Sequence, residues 1–101
     1  MVTVEYRVDP QKSRDFLAAL DRLEGIRRRE GAIDWGLFHD PAAPARYLET
    51  FMVDSWAEHV GQQELRTPAD REIEQQVRSA AEGEPTVSQF VPATPNSGRP
   101  A

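Results

Sequence analysis

The chain contains no cysteine, which excludes disulfides, thiolate metal centres and cysteine nucleophiles. Lysine is almost missing: of the 12 basic residues only Lys12 is not an arginine. Histidine occurs twice, as His39 and His59, without the spacing that sets two imidazoles on one helix face, so no metal is expected. No apolar run approaches the ~18 residues that span a bilayer; the longest is Phe16–Leu20. Membrane insertion is therefore not expected. The opening MVTVEYRVDP lacks the basic and then apolar segments of a secretory leader, and a cytoplasmic location is the simplest expectation. Positive charge is in deficit, 12 basic against 17 acidic residues for a net charge of -5. Such a balance is repelled by phosphate backbones, and nucleic acid is not an expected partner.

What is present is the composition of a folded domain, 39% hydrophobic and 29% charged. With 101 residues there is room for one core, and for a domain this small self-association adds stability. Val2, Val4, Tyr6 and Val8 alternate with polar residues, the period of a half-buried strand. Asp9-Pro10 stops it and opens a helix, because Asp caps well and Pro is tolerated at the first helical position. Phe16, Leu17, Leu20, Leu23 and Ile26 form that helix's apolar stripe; Arg27, Arg28 and Arg29 suit the C-terminal end of its dipole, and Gly31 stops it.

Ile33, Trp35 and Leu37 alternate with Asp34 and Gly36 as a second strand, and Pro41–Pro44 reads as a loop. Arg46–Val53 is a third strand, with Tyr47, Phe51 and Val53 on one side and Leu48 and Met52 on the other. Ser55 to Glu58 has the form of a capping box, Thr67-Pro68-Ala69-Asp70 starts a further helix ended by Gly83, and Thr86–Val91 is a fourth strand. The pattern is strand–helix–strand twice, the split βαβ order of an α+β ferredoxin-like fold with a four-stranded antiparallel sheet. The domain is expected over residues 1–91, with a Pro- and Gly-rich disordered tail over 92–101. Helices enough for one sheet face leave the other to a partner, and a face-to-face homodimer is expected.

VTVEYRVDP, Arg27–Ala32 (RRREGA), Trp35–Phe38 (WGLF) and Glu49–Phe51 leading into Asp54–His59 (DSWAEH) together resemble one specific group. It is the soluble C-terminal domain of a family of bacterial major-facilitator efflux transporters, itself similar to the antibiotic biosynthesis monooxygenases. The resemblance covers residues 1–91 and implies a dimeric α/β barrel. The transporter body is absent, and the Met1 start favours a free-standing relative. Family members carry a further His shortly after the DSWAEH segment, where this chain has Gln63. The related monooxygenases often show Glu-x-Trp in the third strand, whereas this chain reads Glu49-Thr50-Phe51. Haem-degrading cousins use an Asn, and the sole Asn here is Asn96.

His59, early in a helix that follows a strand, is a candidate general base, set against a polar residue packed beside a cap. Glu49, on the strand face shared by Tyr47 and Phe51, is the second catalytic candidate, set against an ordinary partner for an Arg. Trp35, Tyr47, Phe51 and Trp56 are candidate walls of a substrate cavity between sheet and helices, set against plain core. The resemblance implies an enzyme of secondary metabolism needing no cofactor, oxygenating, cyclising or isomerising a polyketide-like small molecule. The other class of function is a non-catalytic dimeric module that binds a transported or biosynthetic compound.

Overall fold

The computed structural model describes residues 1–93, and the expected tail lies, from residue 94 on, outside the described residues. The strands are β1 (Val2–Arg7), β2 (Ile33–Asp40), β3 (Ala43–Met52) and β4 (Thr86–Gln89); the helices are α1 (Ser13–Arg29), α2 (Trp56–Gln63) and α3 (Pro68–Ala80). The four strands make one antiparallel sheet in the order β2-β3-β1-β4. This is the ferredoxin-like α+β architecture that the strand–helix order predicts.

Local chemistry sets the boundaries. Asp9 accepts from the Gln11 N–H and caps a short 3-10 turn, Pro10–Lys12, that leads into α1. Gly31, at φ 95°, adopts the left-handed conformation that ends α1. Ser55 caps α2 through the Glu58 N–H; α3 opens with a reciprocal capping box between Thr67 and Asp70.

Register then decides which side chains share a face. Val2, Val4 and Tyr6 lie opposite Phe51, Glu49 and Tyr47, and this side is covered by the helices. Phe16, Leu20 and Leu23 of α1 pack against it, with Val77 and Ala80 of α3. The opposite side carries Thr3, Thr50, Leu48 and Ser88 and has no helix over it.

Several details differ from the sequence-based expectation: β4 ends at Gln89 rather than Val91, and Leu17 of the expected apolar stripe is exposed. Asp34 takes a left-handed φ of 52°, and the β2–β3 register shifts between Ile33 and Gly36. Ile33 therefore stands opposite Met52, on the open side, while Leu37 stands opposite Glu49 on the helix side. A simple alternation would have put both on one side; the bulge inserts a residue and reverses the phase. Pro41-Ala42 is a tight turn capped by Asp40, and Pro44 already belongs to β3, beyond the end of the pairing with β1. There its missing N–H breaks no central ladder bond.

A buried carboxylate hub and the cavity beside it

Glu49 is wholly buried at the middle of the sheet. A carboxylate there is tolerable only if its charge and lone pairs are met. Arg27 supplies the charge: its Nε donates to Oε2 at 2.9 Å and its Nη2 to Oε1 at 3.2 Å. The Tyr6 hydroxyl donates to Oε1 at 2.8 Å and the Trp35 indole N–H to Oε2 at 2.9 Å. Four donors from two strands and a helix thus saturate one carboxylate. The Arg27 guanidinium also lies over the Phe51 ring, 5.0 Å from its centroid. Burial, and next the Glu49 charge, push the Tyr6 hydroxyl above the usual phenol range, so it remains a donor. Burial works against the Arg27 charge, but the Glu49 carboxylate outweighs it and raises the guanidinium further.

A second polar cluster lies beside the first. Arg66, in the loop between α2 and α3, grips Glu30 in a fork, Nε to Oε2 at 2.6 Å and Nη2 to Oε1 at 2.8 Å. Its Nη1 donates to Glu74 at 2.9 Å. The backbone carbonyl of Glu30 faces His59 Nδ1 at 3.5 Å, and the Gln63 amide nitrogen meets His59 Nε2 at 3.2 Å. The second contact needs an unprotonated Nε2, which places the proton on Nδ1. Burial lowers the pKa of His59 and keeps the ring neutral. Phe51 and Trp56 flank it, at 5.4 and 5.7 Å between ring centroids.

Trp35, Glu49, Phe51, Trp56 and His59 do come together, but as packed neighbours rather than as the lining of a cavity. Glu49 has no oxygen left to face one, and His59 has both ring nitrogens engaged. Tyr47 lies apart, between Phe16 and His39. The cavity that opens between sheet and helices, about 170 Å³, lies on the β1–β4 side instead. Its apolar walls include Val4, Leu23 and Val77, and its polar surface comes from Tyr6, Arg27, Gln63 and Arg66 together with Glu74, Arg78 and Glu84. The reason is steric: the large side chains of β2 and β3 fill the space under α1, whereas β4 is short and Val87 covers little. A wider groove of about 500 Å³ runs along the outside of α1 and α3, over Ala19 and Ala80. Its floor is methyl groups and its rim charges are solvated, so it holds no comparable polar chemistry.

Sequence reasoning assigned Arg27 to the helix dipole and did not single out Tyr6, Glu30 or Arg66. Arg27 had a readable signal, since it stands four residues after Leu23 and seven after Leu20, on the apolar stripe. Arg66 had none, because it sits in a loop and its forked partner Glu30 is 36 positions away. Among the described residues, no three His, Asp or Glu side chains are grouped to hold a metal ion, and no helix is long and apolar enough to cross a membrane.

Residues 1–96 match the profile of a family described as transmembrane secretion effectors. No curated protein matches the chain. Among solved structures, one similar fold is a Bordetella bronchiseptica protein provisionally assigned as an antibiotic biosynthesis monooxygenase, with TM-score 0.73 and 20% identity over 89% of this chain and 94% of that one. A Nitrosomonas europaea protein with the same provisional assignment gives TM-score 0.76 and 15% identity over 93% and 89%. The cofactor-independent oxygenase SnoaB of Streptomyces nogalater gives TM-score 0.72 and 12% identity over 93% and 94%. At these identities the likeness is one of fold.

Proposed function

The chain belongs to the transmembrane secretion effector family, and from that premise we propose that it binds a small organic compound between sheet and helices and oxidises it without a cofactor. The observation that carries this reading is the Arg27 guanidinium at the cavity wall, held in place by a carboxylate that solvent does not reach. Its likeness of fold to a cofactor-independent oxygenase points the same way. The substrate class is an enolisable phenolic ketone of polyketide type. In the proposed reaction, a methylene conjugated to the carbonyl becomes a carbonyl itself. Dioxygen gives one atom to the product; the other leaves as water with the two methylene hydrogens, and the substrate carbon supplies the four electrons. Arg27 stabilises the enolate oxygen. Glu49 is a positioning residue here, orienting Arg27 and Tyr6, while His59 and Trp56 support the wall from behind. In this reading the domain works in the cytoplasm as a sheet-to-sheet homodimer.

A second reading rests on one observation: Glu49 and His59 have every acceptor occupied, so neither offers a free base to the cavity. A domain of this kind would bind its compound and report it without turnover. An oxygen electrode separates the two, using purified protein and phenolic ketones of one to three rings. The enzyme reading expects equimolar uptake of dioxygen and substrate, reduced about tenfold or more by Arg27→Met. Binding without uptake favours the module, and absence of both sinks the small-molecule reading altogether.

A further inference from the structure

The cavity is small for a ligand site. Its volume of about 170 Å³ is close to the ~150 Å³ of an apolar cavity that holds a benzene ring, and well below the ~300–1,000 Å³ of pockets for drug-sized molecules. Its inner walls are not free to retreat. Val4, Leu23 and Val77 are buried core residues, and Arg66 is fixed by the two carboxylates of Glu30 and Glu74.

Its charges are already balanced. Around it stand the cations Arg27, Arg66 and Arg78, each paired with one or more of Glu49, Glu30, Glu74 and Glu84. Three cations against four carboxylates give no attraction for an anion. One polar edge remains open. Arg27 commits Nε and Nη2 to Glu49, whereas its Nη1 donates to none of the described residues. No buried polar side-chain atom among the described residues lacks a partner, so Nη1 reaches open space. The side chain bearing it is nine-tenths buried and lines the cavity.

We propose that this site takes a neutral one-ring aromatic ligand whose carbonyl oxygen accepts from Arg27 Nη1, and that it rejects fused three-ring compounds. The inference rests on the small-molecule reading above and narrows its substrate class. Apolar walls receive the ring, the free N–H edge of the guanidinium receives the carbonyl, and the volume sets the ring count.

The test is calorimetric titration with three probes. 4-Hydroxyacetophenone is expected to bind. 4-Ethylphenol, which lacks only the carbonyl, is expected to bind about tenfold or more weakly, since it leaves the charged donor unpaired. 1,8-Dihydroxyanthraquinone is expected not to compete. Val77→Phe fills the cavity and should abolish binding; Val87→Trp, on the exposed strand at its mouth, does the same without touching the core. Equal affinity for the two one-ring probes overturns the carbonyl contact. Anthraquinone binding that Val87→Trp abolishes overturns the size limit while leaving the small-molecule reading intact. Binding that neither variant weakens places the ligand elsewhere, and no binding by any probe defeats both inferences.

Discussion

At the residue scale, Glu49 and Arg27 depend on each other. Each is buried, and removing the charge of one strands the other in a low-dielectric interior, a loss of about 3–5 kcal/mol for such pairs. Glu49→Gln is accordingly expected to lower stability by about 3 kcal/mol, read as a fall in the urea midpoint with unchanged slope. A loss under about 1 kcal/mol would mean that the hub is not closed as described. His59 leads to a pH prediction. Its pKa in the folded protein lies below the ordinary value of about 6.5, so the unfolded chain takes up the proton first. Its contribution is therefore complete above about pH 6.5 and is lost as pH falls from there toward the folded pKa. The melting temperature should drop between pH 8 and pH 5, above the ordinary range of the carboxylates, and His59→Gln should flatten that drop. The wild type and the variant falling in parallel would refute it.

At the scale of elements, alternation and capping residues carried most of the information. The expected starts at Ser55 and Thr67 match the observed caps, because capping is settled within four residues, whereas Asp9 caps the 3-10 turn that precedes α1 and not α1 itself. The faces of β1 and β3 were equally legible from period-2 spacing. The phase of β2 was not, since nothing in Ile33–Leu37 marks Asp34 as the left-handed residue of a bulge. That conformation costs a residue with a Cβ about 1–2 kcal/mol, less for Asp, and nothing for glycine. Asp34→Gly is thus expected to keep or raise stability, while Asp34→Val should lower it by about 1–2 kcal/mol. Thermal melts of the two variants check this, and equal melting temperatures would argue against the bulge.

At the scale of the whole molecule, the open side of the sheet stands out. Phe38 and Ile33 are more than half exposed there, and Met52 is 38% exposed. The Phe38 ring lies across Gly36, where a Cβ would sit 2.8 Å from it. Met1 and Phe90 exchange backbone hydrogen bonds just past β1 and β4 and extend the same side. An apolar sheet face of this extent is suited to a second copy of the chain. Light scattering at micromolar concentration is expected to give twice the 11.4 kDa chain mass, and Phe38→Arg should give the monomer. A wild-type monomer would remove the dimer from the proposal. The domain limit at residue 91 is a proposal of the same kind. Deleting residues 92–101 should shift the melting temperature by less than about 5 °C, the equivalent of ~1 kcal/mol for this size; a larger fall would extend the domain into that segment.

The amino-acid order alone determined the elements, their caps and the faces of β1 and β3, because propensity, capping and alternation act over a few neighbouring residues. It also placed Glu49 on the side of β3 shared with Tyr47 and Phe51, and it left open whether that carboxylate met a substrate or an arginine. Only the tertiary structure decided the matter. Arg27 is 22 positions from Glu49, Tyr6 is 43 and Trp35 is 14, so no local pattern ties them together. The cavity moved to the β1–β4 side for the same reason: unfilled volume depends on side chains meeting from four or more elements at once, and no single segment encodes it.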